Sequence, residues 1–397
     1  MDAMGVLTNL TIILLLGIII SNLASALRVP DVLLLLILGL ALGSFGASYS
    51  VPLTDFPPLF LNAMSILALA MIIFDATTRM RLKEFDTFSF QALKLVLVFL
   101  VLSILLFSPF MHYLANIPLS LCVLFATIMV GTDPMIMFTS KVKFKAAELL
   151  RIEGLINTPF TVIIPLLLID LMSNETSLFA SLASHFGDLL GQFVTGIGSG
   201  IFIGIILLKI LKRPFSGLYS PMAVFVAVLT AFALAENLKG SGVLAVTSLG
   251  LFFGNTAVRQ KVLLLEFESV LAKSLYILVF VLLGSLLLIP WSLQFFMISI
   301  VLFLAHLFVR FLALTFIVKK MEYSFSEKIF LTLMNPKGIS VAIVSFVLLL
   351  SSLSVLKSLL DFVLIFMLYS IIFASLASWT APWLVEDLRK KRGTLND

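Results

Sequence analysis

Runs of roughly 17 to 27 apolar residues recur from one end of this chain to the other. Each is long enough, as a helix rising about 1.5 Å per residue, to cross about 30 Å of hydrocarbon. Backbone N–H and C=O groups find no partner in lipid, so a spanning segment must bond within itself as a helix or close into a barrel. Continuous apolar runs without a two-residue alternation select the helix. The predicted fold is an all-α membrane protein with about 13 spans, near 5–26, 30–46, 57–76, 91–115, 117–140, 151–173, 187–211, 219–236, 241–256, 268–290, 293–318, 328–352 and 358–384. Charged residues make up 12% of the chain and hydrophobic ones 61%, about half the charged share of a soluble protein, which argues against a soluble enzyme or a nucleic-acid binder. No soluble domain is expected within 1–397. Only Asp2 precedes the first run, with no basic stretch and no small-residue cleavage site after it, so that run is expected to remain as a helix. Cys122, the single cysteine, has no partner in the chain and excludes an internal disulfide.

The basic residues order these spans across the membrane. Counting loops in sequence, one side collects Arg28, Arg79, Arg81, Lys83, Lys141, Lys143, Lys145, Arg151, Lys209, Lys212, Arg213, Arg259, Lys261, Lys319, Lys320, Lys328 and Arg389 to Arg392, 20 residues in all, and the other only Lys239 and Lys357. Positive charge gathers on the cytoplasmic side, so the N-terminus is expected outside and the C-terminus in the cytoplasm. Lys94 and Lys273, near cytoplasmic span ends, are expected to snorkel; Arg310 and Lys337 lie deeper. The longest exterior loop is expected at about 174–186.

Two polar interruptions break this pattern. Gly131-Thr132-Asp133-Pro134 interrupts the fifth span and Asn335-Pro336-Lys337-Gly338 the twelfth. Proline removes a helix donor and clashes with the preceding turn, while glycine lets the backbone leave helical geometry. Each break strands backbone groups that a polar cavity must satisfy. Seven spans apart, the two segments run in opposite directions, as in an inverted repeat with two broken, crossing helices. Interrupted helices at corresponding places in two halves point to a transporter's midplane site. Two ordinary proline kinks are the plainer alternative, although each carries a charge, which is costly at membrane depth.

These segments resemble the cation:proton antiporter-1 family, the sodium/proton antiporters and exchangers of NhaP and NHE type. The matching residues are Arg28-Val29-Pro30-Asp31, Phe74-Asp75-Ala76, Thr132-Asp133-Pro134, Glu153 to Pro159, Gly240 to Val246 with Gly250 and Gly254-Asn255, Phe280 to Gly284, Arg310, and Asn335 to Gly338. The resemblance implies a moving core bundle (about 91–173 and 293–384), a scaffold (about 1–76 and 219–290) that makes a homodimer, and exchange of Na⁺ or Li⁺ for H⁺ across a cell membrane, in pH homeostasis, without a cofactor. This sequence departs from the family in two places. The sixth-span pattern Glu-Ser-x-x-Asn-Asp-Pro reads Glu153-Gly154-Leu155-Ile156-Asn157-Thr158-Pro159, so the usual aspartate is Thr158, and the usual Pro-Arg-Gly reads Pro336-Lys337-Gly338. Lysine keeps the charge and loses the planar fork.

A hard cation needs several oxygens, and a carrier coupled to protons needs one of them on a titratable group. Asp133 with the hydroxyls of Thr132 and Thr158 is the expected transient Na⁺ ligand set. Glu153 and Asn157, four apart, share a helix face beside it. Glu153 is expected to pair with Arg310, and Lys337 with Asp75, leaving Asp133 free; Glu153 and Arg310 can equally be a purely structural pair. His306, four residues before Arg310, either tunes the pH response or is a hydrogen-bonded interior residue. The reading is a cation:proton antiporter working by alternating access. A transport-impaired or proton-uncoupled relative, and an organic-anion symporter of similar fold, remain as alternatives.

Overall fold

The structure is a computed structural model that describes residues 3–27, 31–49, 54, 56–79, 87–132, 145–173, 178–211, 219–258, 261–285, 292–317, 323–350 and 355–393. In chain order the helices are α1 (Ala3–Leu27), α2 (Asp31–Tyr49), α3 (Pro58–Thr78), α4 (Thr87–Leu102), a π turn (Ser103–Phe107), α5 (Ser108–Ala115), α6 (Leu119–Met129), α7 (Lys145–Ser173) and α8 (Leu178–Leu211). They continue with α9 (Tyr219–Asn237), α10 (Gly242–Gly254), α11 (Lys261–Ser285), α12 (Leu293–Ile317), α13 (Phe325–Leu333), α14 (Ile339–Leu350) and α15 (Val355–Gly393). Among the described residues, eight helical segments are long and apolar enough to cross a membrane, with shorter apolar helices between them.

Local chemistry explains where these helices stop and start. Asn116 takes a left-handed conformation (φ 53°) at the end of α5, a state that asparagine tolerates better than most residues. Ser241 caps α10, accepting from the Leu244 N–H at 3.3 Å, while Glu236 accepts from the Gly242 N–H at 2.8 Å. Ser324 and Glu327 form a reciprocal capping box at the start of α13. The π turn precedes Pro109, which can neither donate to a helical carbonyl nor fit the preceding turn; the wider register accommodates it, and the Ser108 hydroxyl bonds the Ser103 and Cys122 carbonyls at 3.3 and 3.2 Å.

Helix α8 begins at Leu178, so most of the loop expected at about 174–186 is helical; at 34 residues it is about 51 Å long. Lys273 does not snorkel alone, since it pairs with Asp31 of α2 and lies 4.5 Å above the Tyr276 ring. Tyr276 also donates to Asp31 at 3.1 Å. An acid at the start of α2 offered a fixed partner, and the ammonium took it.

The packing falls into two groups. Helices α1, α2, α3, α8, α9, α10 and α11 pack on one another, as do α4 to α7 and α12 to α15. The groups touch where α14 meets α3 and α11, where α7 meets α8 and α10, and where α15 meets α2. Lipid tails are as apolar as leucine, so helix association in a bilayer depends on close packing of small residues. At the α2/α11 seam a Cβ on Gly39 would stand 2.1 Å from the Val281 carbonyl oxygen, and one on Gly284 would stand 2.3 Å from that of Leu36. Only glycine permits that backbone approach.

Candidate functional site

Helix α6 ends at Met129 with Val130 as its cap, and Gly131 and Thr132 leave the helical path. Across from it α13 ends at Leu333, and 334–338 run non-helically to α14. The two breaks meet each other. The Thr132 hydroxyl donates to Asn335 Oδ1 at 2.9 Å. On α7, Asn157 Nδ2 donates to the Val130 carbonyl at 2.6 Å and lies 3.4 Å from the Thr132 hydroxyl. The Thr161 hydroxyl, one turn on, donates to Asn157 Oδ1 at 3.2 Å and to the Asn157 carbonyl at 3.0 Å. Carbonyls freed by the end of α6 are thus satisfied by side chains of α7 and by the second break, as backbone at membrane depth requires.

Gly131 fits because it lacks a side chain. A Cβ there would meet Thr161 Cγ2 at 2.4 Å. Gly131→Ala is expected to lower stability by about 1–3 kcal/mol, and Thr161→Ser, which removes that methyl and keeps the hydroxyl, should restore part of the loss. Thermal unfolding in detergent of the two single variants and the pair checks this, and the absence of any rescue would show that the contact is not the cause.

Glu153 and Arg310 are fully buried and form a two-pronged pair, Nη1 to Oε1 at 2.7 Å and Nη2 to Oε2 at 2.9 Å. The planar guanidinium matches the carboxylate fork, and its Nε also donates to the Leu331 carbonyl at 3.4 Å near the end of α13. The expected pairing of these two residues is present. The expected pairing of Lys337 with Asp75 is not. Asp75 takes Arg79, four residues along α3, at 2.9 Å, because that spacing puts both on one face. The fully buried Lys337 ammonium instead bonds the Met129 carbonyl at the end of α6, while its backbone N–H donates to the Ser370 hydroxyl of α15 at 2.9 Å. A cation at a helix C-terminus meets the negative end of the helix dipole, so the broken helix itself supplies the counter-charge.

Phe99 of α4 lies beneath both cations, 5.3 Å from the Arg310 guanidinium and 6.0 Å from the Lys337 ammonium, and its ring is 5.3 Å from that of His306. His306 is fully buried among Phe99, Phe107 and Phe366, and the acceptor nearest its ring is the backbone of Met129, the same helix end that the Lys337 ammonium bonds.

The sequence reading missed Asn335 as a site residue, although its place beside Pro336 in the second break was visible. Of the expected Na⁺ ligands, Thr132 lies at the crossing, with Asn157 beside it. Asp133 lies outside the described residues. Thr158 stands in α7, and its side chain also lies outside what is described. Asp75 and its Arg79 partner stand on α3, outside the group that holds the two breaks.

The end of α6 and the 334–338 break thus meet, lined by amides and hydroxyls, with a neutralised acid and a lysine beside them. The model of the sodium/hydrogen exchanger transmembrane family matches residues 11–386, and the chain belongs to that family. The Na⁺/H⁺ antiporter 1 of Methanocaldococcus jannaschii is 24% identical over 361 residues, covering 85% of this chain and 82% of the relative. The K⁺/H⁺ antiporter NhaP2 of Shewanella sp. strain MR-4 is 28% identical over 255 residues, covering 62% of this chain and 43% of that protein. This chain therefore spans less than half the length of the NhaP2 relatives. The structure of the sodium proton antiporter MjNhaP1 from M. jannaschii at pH 8 superposes with a TM-score of 0.78 over 97% of this chain and 98% of that one, at 20% identity; at that identity the likeness is one of fold.

Proposed function

We propose that this chain is a secondary antiporter that exchanges a monovalent cation, Na⁺ or Li⁺, for H⁺ by alternating access, with Asp133, Thr132, Asn157 and Thr158 around the ion. The observation that carries this reading is the crossing of the two broken helices at Thr132, Asn157 and Asn335, inside a fold shared with a sodium proton antiporter. K⁺ belongs in the same test, because the Shewanella relatives are K⁺/H⁺ antiporters by name. The basic-residue bias supports an external N-terminus and a cytoplasmic C-terminus in a cell membrane. The helix grouping supports a core of α4 to α7 and α12 to α15 moving against the remainder, which would form the homodimer. No cofactor enters this scheme.

Purified protein in proteoliposomes enclosing a pH-sensitive dye tests the activity. Adding Na⁺ or Li⁺ is expected to drive proton movement; silence with Na⁺, Li⁺ and K⁺ alike would overturn antiport. One observation favours a second reading, a transport-impaired relative: Thr158 replaces the family's aspartate. Thr158→Asp separates the two readings. In an active antiporter the added negative charge should tighten Na⁺ binding more than it changes maximal rate. A silent parent whose Thr158→Asp variant exchanges Na⁺ for H⁺ would establish impairment. Identical rates and Na⁺ affinities in both proteins would show that position 158 does not face the ion.

A further inference from the structure

Among the residues whose burial is described, four carboxylates are buried: Asp75, Glu153, Glu268 and Glu327. Three are committed. Glu153 holds Arg310, Asp75 holds Arg79, and Glu327 accepts from the Ser324 N–H at 2.7 Å. Glu268 is fully buried on α11, and neither of its carboxylate oxygens has a hydrogen-bond partner. It belongs to a stripe of buried residues four apart, Leu264, Glu268, Ala272 and Tyr276, the face that a helix turns inward.

What surrounds Glu268 makes its isolation informative. The carboxylate of Asp75 is close enough to act on it electrostatically. Arg79 Nη2 bridges α3 and α11 beside it, donating to Asp75 Oδ1 at 2.9 Å and to the Ser269 hydroxyl at 3.1 Å. The guanidinium is spent on Asp75 and Ser269, and Glu268 receives no hydrogen bond from it. A buried carboxylate without donor or counter-ion is costly enough that something must neutralise it. Arg79 is half exposed, so the cluster reaches solvent at one edge. The helices that carry the two acids, α3 and α11, both also touch α14, which follows the second break.

We propose that Glu268 and Asp75, with the Ser269 hydroxyl, form a second site for the transported monovalent cation, open to solvent at Arg79 and carried by the two helices that also touch α14. Hard cations take carboxylate and hydroxyl oxygens, and Glu268 supplies two without a hydrogen-bond partner among the described residues. This proposal rests on the antiport reading for the identity of its ligand, and its test does not require exchange.

The test is thermal unfolding of the full chain in detergent, with NaCl replacing choline chloride at constant ionic strength, and KCl as a second arm. Na⁺ should stabilise the parent protein. Glu268→Gln should match the parent in choline and lose at least half of the Na⁺-dependent shift, and its half-saturating Na⁺ in proteoliposome exchange should rise about tenfold, as befits loss of one charge-assisted ligand. Arg79→Gln changes a half-exposed residue, frees Asp75, and should lower half-saturating Na⁺. If Glu268→Gln does not fold, that second variant decides the matter. A parent indifferent to Na⁺ and K⁺, or variants with the parent's Na⁺ response, would overturn the site and leave Glu268 neutralised by a proton. A parent stabilised by Na⁺ through Glu268 yet without exchange would keep the site and sink the antiport reading.

Discussion

Arg310→Ala is expected to lower the stability of the detergent-solubilised protein by about 3–5 kcal/mol, the usual consequence of leaving one member of a buried ion pair alone. The size follows from position. Both groups are fully buried, and the guanidinium gives two hydrogen bonds to Glu153 and a third to the Leu331 carbonyl, so its removal leaves a carboxylate and a helix-end carbonyl without their donor. The double change Glu153→Gln with Arg310→Gln removes both charges and should recover part of the loss. Denaturant or thermal unfolding of the four proteins in the cycle checks this. Purely additive losses would mean that the two side chains do not interact.

Asp133→Asn is expected to reduce cation-dependent proton flux to below a tenth of the parent's, about 1.4 kcal/mol or more in the barrier, without changing the elution or melting of the purified protein. Glu153 cannot readily serve as the exchanging acid, because both of its oxygens are held by Arg310. Asp133 directly follows Thr132, whose hydroxyl lies at the crossing, and it is the acid left at that break. Flux above a tenth of the parent's in proteoliposomes would move the proton-carrying role to another residue.

Much of the site was legible in the sequence for a physical reason. Proline, glycine and charge inside an apolar run have no inexpensive place in a bilayer, so 131–134 and 335–338 announced themselves. Arg310 and Glu153 were also readable as partners, since a charge at that depth needs an opposite one. Lys337 was misread because a sequence shows acids and not the carbonyls that a helix end exposes; its partner is the backbone of Met129. Asp75 had its partner in plain view four residues away, and local spacing outcompeted the distant lysine. Glu268 was hidden by a boundary. With the tenth span expected to begin near 268, Glu268 fell at its first residue and was not singled out, whereas α11 begins at Lys261 and places Glu268 on its buried face. Asn335 was visible in the break, yet its tie to Thr132 joins residues 203 positions apart, a separation that no local pattern encodes.

The glycine contacts have a mechanical consequence. Among the described glycines, six would bring a Cβ closest to main-chain atoms of a neighbouring segment, and each does so inside one helix group: Gly39 and Gly43 against α11, Gly196 and Gly200 against Ser241 and Ala245, Gly254 against α3, and Gly284 against α2. None of these six spans the boundary between the groups. Where backbones interlock at van der Waals range, a shift of a fraction of an ångström collides with main-chain atoms that cannot turn aside. A boundary without such teeth can re-seat its side chains by changing rotamers. On the alternating-access reading proposed above, the boundary that α14 shares with α3 and α11 would act as a slip plane between two stiffer blocks, and the two breaks, pinned together by Lys337 and Thr132, would ride across it as a single passenger.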